Sequence, residues 1–151
     1  MKKIMFVCTG NTCRSPMAEA LTKNALEKAS LNDVEVVSRG ISVFFSSGAS
    51  EYAHQAMKEY GLNLDTHKSK QIEPKDIEDV DLILTMTNSH KQYLHHNFPA
   101  HKGKIFTLKE FVEESGDVED PFGGQIKEYR SCAENLHQLV QKLVKKISRD
   151  M

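Results

Sequence analysis

The amino-acid sequence predicts an α/β fold: a single three-layer domain built on a four-stranded parallel, doubly wound sheet with helices on both faces. Two observations lead there. Short apolar runs alternate with helical patterns along the whole chain, the rhythm of strand–helix–strand units. Strands joined through helices pair in parallel and are covered on both sides, and right-handed crossovers leave few ways to arrange them. The 151 residues fit one domain spanning 1–151, large enough to bury roughly two-thirds of its unfolded surface.

Each element has its own signal. Ile4-Met5-Phe6-Val7 is a continuous apolar run, the mark of a short buried strand. A helix is expected next, with Ser15 as N-cap and Pro16 at the first helical position, where a missing N–H costs nothing. Met17, Ala18, Leu21, Ala25 and Ala29 share one arc of it. Val34–Ser38 reads as a second strand, and Ser50–Tyr60 as a helix closed by Gly61. Pro74–Val80 is a helical turn, Asp81–Met86 a third strand, and Asn88 or Ser89 caps a helix through His95. Lys104–Thr107 is a short fourth strand, followed by a polar loop from Gly116 to Gly124 around Asp120-Pro121. Ile126, Tyr129, Ala133, Leu136, Val140, Leu143 and Ile147 recur at three- and four-residue steps, the clearest helix of all.

Composition narrows the class of function. With 39% hydrophobic and 27% charged residues, the chain belongs with globular proteins rather than disordered or membrane-spanning ones. Its 20 basic and 21 acidic residues give no bulk attraction to nucleic acid or anionic membranes, so neither is an expected partner. Met1-Lys2-Lys3 and the apolar residues after it resemble the start of a signal peptide. The stretch breaks too early for one, at Thr9-Gly10-Asn11. Three cysteines make no disulfide framework and suit a reducing cytoplasm.

The chemistry concentrates in Cys8-Thr9-Gly10-Asn11-Thr12-Cys13-Arg14-Ser15-Pro16. Ligands of doubly wound sheets bind beyond the carboxyl ends of the strands, where Cys8 lies. Gly10 permits unusual backbone angles, so consecutive N–H groups can turn inward as an anion nest, reinforced by the positive end of the following helix. Thr9, Gly10, Asn11, Thr12, Cys13, Arg14 and Ser15 are the expected phosphate-binding residues, Arg14 through its planar fork. The same field is expected to depress the Cys8 thiol, since helix N-termini with a nearby cation bring cysteines to about 3.5–7.5. A thiolate beneath a phosphate can attack phosphorus in line and form a cysteinyl-phosphate. The leaving atom then needs an acid. Asp120 is the best candidate, because Pro121 stiffens its loop and Gly123-Gly124 leave it room; on composition alone, a plain turn aspartate is an equal reading.

Cys8-Thr9-Gly10-Asn11-Thr12-Cys13-Arg14-Ser15-Pro16-Met17-Ala18-Glu19, with Asp120-Pro121-Phe122-Gly123-Gly124, resembles the low-molecular-weight protein phosphatases over nearly the whole chain. The resemblance implies Cys8 as nucleophile, Arg14 as phosphate clamp and Asp120 as general acid, then base. It implies Asn11, Ser15, Ser38 and His67 as the polar network that shapes the loop, with Ser15 bonded to the Cys8 sulfur. It implies no metal or other cofactor, phosphorylated proteins as substrates, and inorganic phosphate as product and inhibitor. The loop is most similar to that of bacterial protein arginine phosphatases, which have Thr where tyrosine-directed members usually carry a larger aliphatic residue. Thr12 leaves room beside phosphorus and offers a polar contact to a guanidinium, and Asp120 can pair with that guanidinium. Two features run the other way. Arginine phosphatases often have an aromatic residue where this chain has Ser42, and Phe45 falls where tyrosine phosphatases often place an aromatic wall. Thr12, Phe44, Phe45 and Asp120 are therefore the expected specificity residues. Phosphoarginine is the preferred substrate and phosphotyrosine the alternative.

Several of these residues admit a second reading. Cys13 is either a resolving thiol for Cys8 or a small residue filling the inner side of the loop. Cys132 belongs to the core of the last helix. His95, His96 and His101 match no metal-ligand spacing, and the lysines at 102, 104, 142, 145 and 146 read as solvated faces. Phe44-Phe45 is either a core contact or an exposed pocket wall. Three other functions compete. An arsenate reductase would need relay cysteines, and none lies between Cys13 and Cys132. In a phosphocysteine carrier, Arg14 and Asp120 would work against keeping the phosphate. A phosphoprotein-binding module would keep its function after Cys8→Ser.

Overall fold

The computed structural model describes residues 1–150. Four parallel strands, β1 (Lys3–Cys8), β2 (Glu35–Gly40), β3 (Leu82–Thr85) and β4 (Ile105–Thr107), form one sheet in the order β2-β1-β3-β4. Six α-helices accompany them: α1 (Arg14–Lys28), α2 (Glu51–Lys58), α3 (Pro74–Asp79), α4 (Asn88–Asn97), α5 (Leu108–Phe111) and α6 (Ile126–Asp150).

Strand β1 is central, and alternate residues face opposite layers. Ile4, Phe6 and Cys8 join the core made with α1, α2 and α6, while Met5 and Val7 join the core holding Ile77 of α3 and Leu94 of α4. That explains why the run is apolar without alternation: both of its faces are dry. The apolar stripe of α6 is buried from Tyr129 to Ile147. The predicted architecture, parallel sheet and two helical layers are thus all present.

The chain winds one way from β1 to β2 and the other way from β2 through β3 to β4. The segments leaving β1 and β3 therefore diverge at one point, the switch point at which such sheets bind ligands. Gly40 lets the end of β2 press on the first of them. A Cβ there would lie 2.6 Å from the Thr9 carbonyl oxygen and 2.6 Å from Val43 Cγ2.

Several local expectations are corrected. Ser15 does not cap α1: Cys13 occupies the cap position without a side-chain bond, and Ser15 already lies inside the helix. Its hydroxyl is engaged elsewhere, as described below. Ala29 is the C-cap and exposed rather than part of the buried arc. Thr87, not Asn88 or Ser89, caps α4, its side chain accepting from the His90 amide. Gly61 adopts φ +73 just past α2, as a terminating glycine should. A 3₁₀ turn at Pro99–Lys104 and the short α5 were not anticipated, although Thr107 and Glu110 form a capping box that the sequence displays.

Candidate active site

The segment from Cys8 to Arg14 wraps a cavity of about 250 Å³ whose far side is closed by Asp120 and Phe122. Gly10, expected to allow unusual backbone angles, has no positive φ. The left-handed residue of this segment is its neighbour Asn11, at φ 58, a conformation that asparagine tolerates better than most residues. Its side chain explains how the turn is held. Asn11 Nδ2 donates to Ser15 Oγ at 2.8 Å and Ser38 Oγ at 3.0 Å, and Oδ1 accepts from the Lys70 amide at 2.9 Å. The Asn11 carbonyl lies 2.7 Å from His67 Nε2. Asn11, Ser15 and Ser38 are buried and His67 half-buried.

Donor counting gives this network a direction. Ser38 donates its only hydroxyl proton to Glu19 Oε1 at 2.7 Å, so its lone pair is what Asn11 meets. Asn11 likewise donates to Ser15, leaving the Ser15 hydroxyl proton free to point at Cys8 Sγ, 2.8 Å away. The Asn11 amide donates to the same sulfur at 3.3 Å. Donors thus converge on sulfur, an arrangement that favours the thiolate over the thiol.

Burial opposes them. It pushes the Cys8 thiol up from its ordinary value, against the Ser15 hydroxyl and amide, the Arg14 charge and the Asn11 amide, in that order. Burial therefore works against the expected depression: Cys8 is 3% exposed, and the sequence could not show how completely its sulfur is withdrawn from water.

Arg14 is also buried. One guanidinium nitrogen donates to the Val118 carbonyl at 3.1 Å, and another lies 3.5 Å from Asp120 Oδ2. Asp120 is half-exposed and is held by the Phe122 amide, which donates to its Oδ1 at 3.0 Å. The sequence-distant carboxylate, the guanidinium and the thiol thus meet in one cavity. Thr12 lines it too, half-buried. Phe44 and Phe45 are not core contacts: both are 87% exposed on the loop after β2, whose Ser42 amide donates to the Thr9 carbonyl at 3.0 Å, while Phe122 lines the cavity itself.

Sequence reasoning missed His90. It is buried, and its Nε2 lies 2.9 Å from Thr9 Oγ1, tying the first turn of α4 to the loop after β1. Burial, then the Arg14 charge, lowers it to about 4, so it is neutral at neutral pH. No pattern announces such a residue; only the switch-point topology brings it near. Tyr129, read only as a core residue, lies 3.4 Å through its hydroxyl from Cys13 Sγ, which also faces Ser50. Cys13 and Cys132 are buried free thiols, and burial pushes Cys132 up to about 12. Among the described residues, no three His, Cys, Asp or Glu side chains are grouped to hold a metal, and no helix is long and apolar enough to cross a membrane.

An anion cradle with a buried sulfur at its base, a guanidinium on its wall and a carboxylate over its mouth can bind a phosphoryl group, attack it and protonate what leaves. Known proteins agree. The chain is 43% identical to a protein-arginine-phosphatase of Geobacillus stearothermophilus, covering 98% of this chain and 97% of the relative. It is equally identical, 43%, to the low molecular weight protein-tyrosine-phosphatase PtpB of Staphylococcus haemolyticus, covering 93% and 96%. A solved structure of the arginine phosphatase YwlE, a cysteine-to-serine variant with a phosphorylated active-site serine, superposes with a TM-score of 0.93. It is 42% identical, covering 98% of this chain and 97% of the other. The model of the family described as low molecular weight phosphotyrosine protein phosphatase matches residues 3–151. The chain belongs to that family.

Proposed function

We infer that this phosphatase removes phosphate from phosphoarginine residues of proteins, with Cys8, Arg14 and Asp120 as its catalytic residues. Thr12 carries the substrate preference in this reading. It lines the cavity beside the phosphate cradle, where a branched aliphatic side chain would fill the space and remove a hydroxyl able to contact a guanidinium. The likeness to an arginine phosphatase over nearly all of both chains supports it. The half-exposed Asp120 carboxylate at the mouth adds a planar partner for the same group.

In the first step the Cys8 thiolate, its charge held by the Ser15 hydroxyl and the Asn11 amide, attacks phosphorus as the phosphorus–nitrogen bond breaks, and Asp120 passes its proton to the departing guanidino nitrogen. Arg14 and the loop amides, from Thr9 to Ser15, hold the phosphoryl oxygens. In the second step water attacks the cysteinyl-phosphate, Asp120 takes its proton, and phosphate and the Cys8 thiolate are released. The Ser15 hydroxyl, aimed at the sulfur, stabilises the charge that returns there. The phosphorylated serine in the related YwlE variant supports the covalent step.

The test compares rates on phosphoarginine and phosphotyrosine peptides for the natural chain and for Thr12→Ile. The natural chain is expected to prefer phosphoarginine, and the variant to move the ratio of kcat/KM values toward phosphotyrosine by about 10-fold or more, as the contact of a buried polar group is lost. An unchanged ratio removes Thr12 from the specificity role. A natural chain that prefers phosphotyrosine makes it a tyrosine phosphatase of the same mechanism.

A further inference from the structure

Asp120 can protonate a leaving group only if its loop stops at the right place over Cys8, and something must set that place. Helix α6 begins only after Asp120, and the Asp120 carboxylate bonds within its own turn, to the Phe122 amide. Just upstream, the Glu119 carbonyl lies 3.7 Å from Cys132 Sγ of α6 and the Val118 carbonyl accepts from Arg14, and two further anchors reach the stretch from the end of β3 to the first turn of α4. The Val118 amide donates to the Met86 carbonyl at 2.9 Å. Asp117 Oδ1 accepts from the amide of Asn88, the first residue of α4, at 2.8 Å. That segment is itself tied to the phosphate loop by the bond between His90 Nε2 and Thr9 Oγ1. A path of direct hydrogen bonds therefore runs from Thr9, next to the nucleophile, through the first turn of α4 to Asp117, three residues from the acid.

We propose that Asp117 is a positioning residue for the reaction: its carboxylate, docked on the start of α4, fixes the acid loop at the height from which Asp120 reaches the leaving group. His90 is the matching tie on the phosphate-loop side. Asp117 is exposed and holds only a surface amide, so its replacement leaves the core intact. Arg14 receives a secondary benefit, because the Val118 carbonyl that accepts from its guanidinium belongs to the same docked stretch.

The inference rests on the phosphatase reading above, and the experiment separates the two. Hydrolysis of phenyl phosphate, which needs its leaving oxygen protonated, is compared with that of p-nitrophenyl phosphate, which does not. Asp117→Ala is expected to lower kcat/KM, which reports only the step in which the leaving group departs, about 10-fold on phenyl phosphate, a part of what a misplaced catalytic group can cost, while kcat/KM on p-nitrophenyl phosphate changes less than about 2-fold. Asp117→Asn keeps the acceptor oxygen and is expected to restore the rate. Asp120→Asn in the same assay serves as the reference. If Asp120→Asn shows the leaving-group dependence and Asp117→Ala does not, or loses both substrates equally, the positioning role is wrong and the phosphatase reading stands. Failure of Asp117→Asn to restore the rate also overturns it. If Asp120→Asn lowers kcat/KM on both substrates alike, Asp120 is not the acid, and its role in the proposed function falls together with the positioning role.

Discussion

Replacing Ser15 by alanine tests the claim that the polar network serves a negatively charged sulfur. The perturbation removes one atom that sits 2.8 Å from Cys8 Sγ, and the direction of its bond follows from the network. Ser38 donates to Glu19, Asn11 donates to Ser38 and Ser15, and only sulfur is left for the Ser15 proton. Among the contributions that lower the Cys8 thiol, this hydroxyl stands first. A hydrogen bond to a charged group contributes about 1.5–3 kcal/mol, and one pKa unit corresponds to about 1.4 kcal/mol. The thiol should therefore titrate about 1–2 units higher in Ser15→Ala. The assay is ultraviolet titration of thiolate absorbance, referenced to Cys8→Ser, alongside the pH dependence of alkylation by iodoacetamide and of kcat/KM. Removing the donor destabilises the charged form, so the acid limb of all three moves to higher pH. The activity lost is greatest at low pH and shrinks as pH rises. An unmoved limb, a limb displaced to lower pH, or a loss equal at every pH would refute the directed network.

Two further predictions concern the packing that holds the site. His90 is lowered from 6.5 to about 4 in the folded protein. The unfolded chain takes up that proton first as pH falls, so the contribution of His90 to stability is whole above about pH 6.5 and is lost toward pH 4. Its size is on the order of 2–3 kcal/mol. His90→Leu should flatten the fall in urea midpoint between pH 6.5 and 5, and an identical slope in the two proteins would contradict a buried neutral histidine. Gly40→Ala would force a methyl group against the Thr9 carbonyl and Val43, costing about 1–3 kcal/mol by overpacking. A melting temperature within a degree or so of the natural chain would show that the contact relaxes freely.

Much of this was legible because the physics involved is local. A buried central strand is apolar on both faces, and β1 reads as one from Ile4 to Val7 alone. A helix packed along one side repeats its apolar residues every third or fourth position, as α6 does. The phosphate loop was legible because Cys8, Asn11, Arg14 and Ser15 lie within a few residues, and such spacing leaves the chain little choice. The errors arose where a side chain serves a partner outside its own element. Ser15 has the chemistry of a cap, but its hydroxyl belongs to the sulfur of Cys8. Gly10 has the backbone freedom for a left-handed turn, but Asn11 takes that conformation because Ser38 and Lys70 hold its side chain there.

The order of residues is enough to establish which groups can do chemistry and the fold class that presents them at one end of a parallel sheet. Backbone sterics, hydrophobic periodicity and the fixed hand of crossovers suffice for that. Only the tertiary structure decided which groups meet. Asp120 beside Arg14, His90 against Thr9 and Asp117 at the start of α4 are contacts between segments far apart in the chain. Such contacts depend on the strand order and the point where the winding reverses. The same holds for the burial of the Cys8 sulfur: a thiol's charge answers to the water removed around it, and how much is removed depends on the whole packed domain.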